Sequence, residues 1–365
     1  MSGEIYKKIS IVKGEFKGMN YETSSRKLYP DFCKGVLIIL VLVGHSIQFG
    51  LGNVYYSSGA YFDNFVYRAI YSFHMPAFMA ISGYFWGMKL NRSCTIQTLM
   101  DKIKKLILPI FSWATIVTLI TFVTQRINIV GCIKNEIVNF VFGLWFMWAL
   151  IFCSILTFGV KKVSGKICSP AIVVVIALFL ITPDILNFHL YKFVFPFFVM
   201  GGGIAEGTLS IKSRPKNITM SLLILGSCFW MISLLEYSRK CYIYNSGITL
   251  LGKSDRWMQL LIDIYRWSIA YIACAVLGLI LWKLSKRTDK TISTVVSIVA
   301  EIGQRSLYIY IFSTMICNKF ILPKLGTDMN GIFVILLEST AVMISSLILT
   351  WFTQKSKHIF KILWG

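Results

Sequence analysis

Apolar runs close to the length that crosses a bilayer, about 20 residues, recur along this chain from residue 35 to residue 353. Windows of about 19 residues predict ten helical spans, at 35–52, 64–88, 105–124, 143–160, 169–186, 190–208, 217–236, 262–283, 302–322 and 331–353. The fold expected is all-α: a polytopic membrane protein of about ten transmembrane helices. It has a tail at 1–30, a transmembrane domain at 31–353 and a second tail at 354–365. Tyr191, Lys192 and Pro196 interrupt the sixth run, and loss of that span would move the C-terminus across the membrane. No internal repeat is present, nor a pair of matching broken helices of the kind found in many secondary transporters.

Composition narrows the class. Of 365 residues, 56% are hydrophobic and only 15% charged, which excludes a water-soluble enzyme. A formal charge of +21, from 37 Lys and Arg against 16 Asp and Glu, would suit nucleic acid. The cations, however, stand in short clusters between apolar runs, as topology signals do. With the N-terminus in the cytoplasm, the tails and the even-numbered turns collect Lys89, Arg92, Lys161, Lys162, Lys212, Arg214, Lys286, Arg287, Lys355 and Lys357. That asymmetry predicts both termini on the cytoplasmic side of a cell membrane. Residues 1–30 carry Lys7, Lys8, Lys13, Lys17, Arg26 and Lys27 without a long apolar core, which reads as a cytoplasmic tail rather than a cleaved signal. Nine cysteines include no CxxC pair, so no metal site is expected. Cys132 and Cys241 both fall in outer loops, and their pairing depends on a distance the sequence does not supply.

An ionisable side chain at bilayer depth costs at least ~2.5 kcal/mol and usually faces a cavity or a partner, so polar residues inside the runs carry the chemistry. The first span reads Tyr29-Pro30-Asp31-Phe32-Cys33-Lys34-Gly35, an apolar run, then Gly44-His45-Ser46. Eleven steps separate Lys34 from His45, three helical turns plus about 20°, which places both on one stripe about 16 Å apart. Asp31 shares that stripe. His45 is a proton acceptor suited to neutral pH, although a histidine bonded to a neighbouring helix only for its own satisfaction leaves the same trace. The next span adds His74 beside Pro76, which can open the helix there. Arg68 lies one to two turns earlier, placed either to meet a substrate or to snorkel toward head groups.

These segments resemble those of the acyltransferase 3 family of membrane O-acyltransferases. Lys34, ten residues and His45, within YPDFCKGVLIILVLVGHS, resemble its Arg-x10-His signature, and YSFHMPAFMAISGYFWG resembles its second-helix motif, FHMPLFFFLSGY. The segment Lys105-Leu106-Ile107-Leu108-Pro109 is similar to its third-helix block. Gly143-Leu144-Trp145-Phe146 resembles LWFL, and Gly303-Gln304-Arg305-Ser306-Leu307-Tyr308-Ile309-Tyr310 resembles GxxSLxIY. The DFxKG start is closest to the fucose 4-O-acetylase-like branch. Two departures stand out. Lys34 replaces the family's arginine and loses its planar fork, and Ser313 stands where many members have a histidine.

The resemblance implies transfer of an acyl group, with acetyl-CoA as cytosolic donor and a cell-envelope sugar as acceptor, and no permanently bound cofactor. Spacing and resemblance together make His45 the general base, with His74 either polarising the thioester or sharing the proton. Lys34 would attract the anionic CoA moiety together with Lys27, Lys102, Lys104 and Lys105, while Asp31 orients Lys34. Trp145, Ser306 and Tyr310 would line the substrate cavity, and Arg68 would contact substrate. The rival reading is a transporter or flippase whose buried His and Arg relay protons without covalent chemistry.

Overall fold

The computed structural model describes residues 28–209, 216–250, 253–325 and 331–365. The expected N-terminal tail as far as Lys27, and Lys212 and Arg214 of one basic turn, lie outside the described residues. Within the described residues, all regular elements are helical.

Helix α1, Leu28–His45, continues through a π-helical turn at Ser46–Gly50. After α2, Phe65–Tyr71, come α3, His74–Arg92, and α4, Ile96–Gln125. Helix α5, Ile129–Val138, runs into a π-helical turn at Asn139–Gly143, and α6 is Trp145–Ser164. Helices α7, Ala171–Ile181, and α8, Phe188–Ala205, precede α9, Lys216–Leu235, and α10, Arg256–Ser285. Helix α11, Lys290–Gln304, leads to α12, Ser306–Phe312, which continues as a π-helix over Ser313–Ile321. Helices α13, Ile332–Gln354, and α14, Lys357–Trp364, end the chain.

Among the described residues seven stretches are long and apolar enough to cross a membrane: Leu28–Gly50, Ile96–Gln125, Trp145–Ser164, Phe188–Ala205, Arg256–Ser285, Ser306–Lys324 and Ile332–Gln354. The chain is a multi-pass membrane protein. The three other predicted runs are helical but shorter or divided. The run at 64–88 breaks between α2 and α3, because Phe73 leaves the helical region at φ −145°. The run at 169–186 holds the 11 residues of α7, and that at 217–236 yields an apolar stretch of Met220–Leu235. In the segment expected as a C-terminal tail, Lys357–Trp364 is helical, and Trp364 is buried between Trp113 and Tyr308, with ring centroids 5.3 and 5.2 Å away. Phe360, Leu363 and Trp364, at helical spacing, share the face of this helix that packs on the core.

Lipid tails are as apolar as leucine, so helices in a bilayer associate through close van der Waals fit, favoured by small residues. The α3–α8 seam shows this. A β-carbon on Gly83 would stand 2.0 Å from the Phe198 carbonyl oxygen, and one on Gly201 would stand 1.8 Å from that of Ala80. A second glycine crossing joins α1 to α11. The β position of Gly35 falls 1.9 Å from the Val299 carbonyl oxygen, and that of Gly303 falls 1.8 Å from the Asp31 carbonyl oxygen.

At one end, a buried polar cluster ties the turn after α7 to the 237–261 loop. Lys192 of α8, fully buried, donates to the Thr182 carbonyl, to Asp184 Oδ1 at 2.9 Å and to Thr249 Oγ1 at 3.0 Å. Asp184 Oδ2 accepts from the backbone N–H groups of Ile248 and Thr249 at 2.8 and 2.9 Å. Arg266 of α10 pairs with Asp263 and donates to the Gly247 carbonyl. Part of the connection between α9 and α10 is thus fastened to the bundle.

Candidate functional site

Two layers of polar chemistry cross the bundle. In the first, the Lys34 ammonium lies 2.7 Å from Asp31 Oδ1, one turn back on α1, and 5.2 Å from the centre of the Phe85 ring. Lys102 of α4 packs over the next residue of α3, 4.3 Å from the Trp86 ring and 5.3 Å from that of Phe198. Because Phe85 and Trp86 are adjacent, both cations lie at one level, each against an aromatic face that stabilises it. Lys105, three residues beyond Lys102, has an exposed side chain.

The second layer holds the imidazoles. Phe85 stands eleven residues after His74 on α3, as His45 stands eleven after Lys34 on α1. Equal steps of about 16 Å on antiparallel helices bring His45 and His74 to one level. His74 opens α3, and Pro76 sits in its first turn, where an absent N–H breaks no helical bond. The helix interruption thus precedes His74. Its Nδ1 lies 2.8 Å from the Ile70 carbonyl at the end of α2. A carbonyl only accepts, so Nδ1 carries the proton and Nε2 holds the lone pair. Tyr71 lies beside it, its ring tilted at 4.6 Å from that of His74 and its hydroxyl donating to Gln48 Oε1 at 3.1 Å.

His45 ends α1 where the π-helical turn begins. Its Nδ1 meets Asn318 Nδ2 at 3.0 Å, and its ring meets Phe49 edge-on at 6.0 Å. Asn318 and Phe49 also line a cavity of about 410 Å3, shared with Asn53, Tyr56, Thr314 and Lys319, at the end of the bundle opposite the lysine layer. The π-helical segments Ser46–Gly50 and Ser313–Ile321 both line this cavity, and such segments redirect side chains that a regular helix would aim elsewhere. Another, shallower cavity of about 250 Å3 between Lys161, Lys166 and Glu206 lies away from both imidazoles.

The remaining expected residues divide. Tyr310 is buried, and its hydroxyl receives the backbone N–H of Phe146 at 3.4 Å, so the late block and the LWFL-like block touch directly. Trp145 begins α6 beside Phe146, their rings 6.2 Å apart. Ser306 is buried at the joint between α11 and α12. Arg68 points from α2 to the Leu234 carbonyl at 3.3 Å, apart from the imidazole layer. All nine cysteines are unbonded, Cys132 and Cys241 included.

Sequence reasoning passed over Asn318, Lys319 and Glu338, although the rule that found His45, a polar residue inside an apolar run, applies to each. Lys319 donates to Asn139 Oδ1. Glu338 of α13 is buried, with Oε2 unpartnered among the described residues and its carboxylate pressed against Gly50. Beside it, Ser339 Oγ lies 3.1 Å from Ser46 Oγ.

The same stretch of chain has known counterparts. A family model described as an acyltransferase domain matches residues 27–355. A nodulation protein NolL from Sinorhizobium fredii is 27% identical over 357 residues, covering 94% of this chain and 93% of that protein. A second NolL, from Mesorhizobium japonicum, is 28% identical over 322 residues, covering 84% of this chain and 81% of the relative. No solved structure gives a significant match.

Proposed function

Because the chain belongs to the acyltransferase 3 family of membrane O-acyltransferases, we propose that it moves an acetyl group from cytosolic acetyl-CoA to a hydroxyl of a cell-envelope carbohydrate, with His45 as the base. The observation that carries this reading is the place of His45, between a lysine layer about 16 Å away on its own helix and a cavity reached through Asn318. The lysine layer, Lys34 with Lys102, attracts the phosphates of CoA, and its flexible arm lies along α1 toward His45. Asp31 holds Lys34 in place. The acceptor hydroxyl gives its proton to His45 as its oxygen attacks the thioester carbon, and the departing thiolate takes a proton to leave as CoA.

For His74, the bond from Nδ1 to Ile70 leaves a lone pair on Nε2. This favours sharing the proton with His45 over polarising the thioester, which needs a donor. The same reading places the protein in the cytoplasmic membrane with both termini inside and ten crossings, α2 with α3, α7 and α9 supplying the three shorter ones. The distribution of Lys and Arg supports that orientation.

A positioned base contributes roughly 10²–10⁴-fold. His45→Ala is therefore expected to remove acetyl esters from the envelope polysaccharide, read by mass spectrometry against a deletion strain, with membrane levels of the protein unchanged. Full acetylation in that variant refutes the assignment of the base.

A further inference from the structure

Two polar atoms beside the base have no hydrogen-bond partner. Asn318 Oδ1 and Thr314 Oγ1 are both buried and unpartnered among the described residues, and Asn318 is only 8% exposed. A polar atom buried without a partner is unfavourable. Both residues lie on the π-helix Ser313–Ile321, and both line the 410 Å3 cavity. Two unsatisfied groups converging on one cavity mark a place where a ligand supplies the missing bonds.

The rest of the wall shows what kind of ligand. Phe49 and Tyr56 lie 5.3 Å apart, and Tyr56 stacks on Tyr61 at 5.9 Å, forming an aromatic wall. Asn53 and Lys319 stand at the exposed rim. An aromatic face opposed by a hydroxyl, two amides and an ammonium matches a sugar ring, which is apolar across its C–H face and rich in hydroxyls around its edge. The volume falls within the range of about 300–1,000 Å3 that small-molecule sites occupy.

We propose that this cavity is the binding site of the carbohydrate acceptor, and that Asn318 is the positioning residue that links the acceptor to His45. This rests on the acyltransfer reading above. With Nδ2 toward His45, the amide leaves the imidazole proton on Nε2. Turned half a circle, its Oδ1 accepts the Nδ1 proton, Nε2 becomes the lone-pair nitrogen, and Nδ2 takes the orphan position, where an oxygen of the sugar receives it. The two ends of the amide have the same shape, so the turn disturbs no packing. The sugar hydroxyl then passes its proton to Nε2 while the C–O bond forms and the C–S bond breaks. The thiolate recovers the proton, and no other reactant is needed.

The test uses the full chain in lipid nanodiscs with acetyl-CoA and the alkali-treated envelope polysaccharide of a deletion strain. Thr314→Val, which keeps shape, and Tyr56→Ala, at an exposed ring, are each expected to raise KM for the polysaccharide roughly tenfold and to leave KM for acetyl-CoA unchanged. Asn318→Leu is expected to lower kcat at least tenfold, whereas Asn318→Asp, whose carboxylate can accept the Nδ1 proton, retains most of it. Thermal melting confirms that each variant is folded. If Thr314→Val and Tyr56→Ala change neither KM, or raise that for acetyl-CoA instead, the cavity is not the acceptor's, while the acyltransferase reading stands. Equal loss in Asn318→Asp and Asn318→Leu overturns the positioning role. Failure of the unaltered protein to acetylate the polysaccharide refutes the underlying reading instead.

Discussion

At Gly201 one added carbon should matter greatly. On α8, its β position lies 1.8 Å from the Ala80 carbonyl oxygen, an atom of the α3 backbone, and real β-carbons essentially never approach closer than 3.0 Å. Gly201→Ala therefore has to part α3 from α8 by more than about 1 Å at the crossing, since no flexible side chain is there to give way. A radial gap of about 0.5–1 Å already forfeits a quarter to a half of each pairwise attraction. In a bilayer nothing replaces that loss, because lipid offers no hydrophobic drive to close the seam. Overpacking of this kind costs about 1–3 kcal/mol. Since α3 carries His74 at its first residue, the displacement also moves an imidazole relative to His45. The expected result in nanodiscs is a lower melting temperature together with reduced transfer, whereas Gly159→Ala, whose β position meets nothing within 4 Å, changes neither. A Gly201→Ala protein that melts and turns over like its parent refutes the claim that glycine contact sets the distance between these helices.

Three further outcomes follow from named contacts. Lys192→Met removes the cation of a buried cluster while Asp184 keeps two backbone N–H donors; breaking such a pair costs about 3–5 kcal/mol, read as a drop in melting temperature with the 237–261 loop newly open to protease. Burial alone would raise the Asp184 carboxyl, but the Thr249 N–H, the Lys192 ammonium and the Ile248 N–H together hold it below its ordinary 3.8. A depressed carboxyl adds stability above the unfolded value that is lost as pH falls through the folded one. Melting temperature should therefore decline below about pH 3.8, and Asp184→Asn should flatten that decline. Lys34→Arg restores a planar fork that can grip phosphate by two hydrogen bonds, so KM for acetyl-CoA is expected to fall several-fold; an increase would show that the site is shaped around the compact ammonium.

The helical class and the stripe from Asp31 through Lys34 to His45 could be read from spacing because a regular helix converts sequence interval directly into direction and distance. That rule stops where the helix changes pitch. Asn318 reaches His45 from a π-helix, and His45 itself adjoins one, so counting at 100° per residue aims these side chains wrongly. Pro76 signalled an interruption near His74, but a proline is tolerated in a first turn, and the break falls before the histidine. Lys102 rather than the exposed Lys105 faces the aromatic rings beside Lys34, a distinction between neighbours on one helix that depends on where α3 lies. Span lengths were the least legible, since α7 and the apolar stretch of α9, Met220–Leu235, are shorter than a full crossing.

The separation between the two layers carries a last expectation, because a rigid helix leaves it no freedom to adjust. Lys34 and His45 share α1, so about 16 Å must be bridged by the donor itself, with phosphates at one end and thioester at the other. Acetyl-pantetheine keeps the arm and the reacting bond but lacks the nucleotide phosphates. If the lysine layer serves only to hold those phosphates, Lys34→Met and Lys102→Met each raise KM for acetyl-CoA about tenfold while KM for acetyl-pantetheine, already high, does not change. With His45 as the proposed base, His45→Ala is expected to lower kcat with both donors alike, since the proton it would accept comes from the acceptor in either case. Measuring the two donors against the three variants thus separates recognition at one layer from chemistry at the other. If Lys34→Met weakens acetyl-pantetheine as much as acetyl-CoA, the lysine acts on the arm or on the helix, and the phosphate assignment fails whatever becomes of the base.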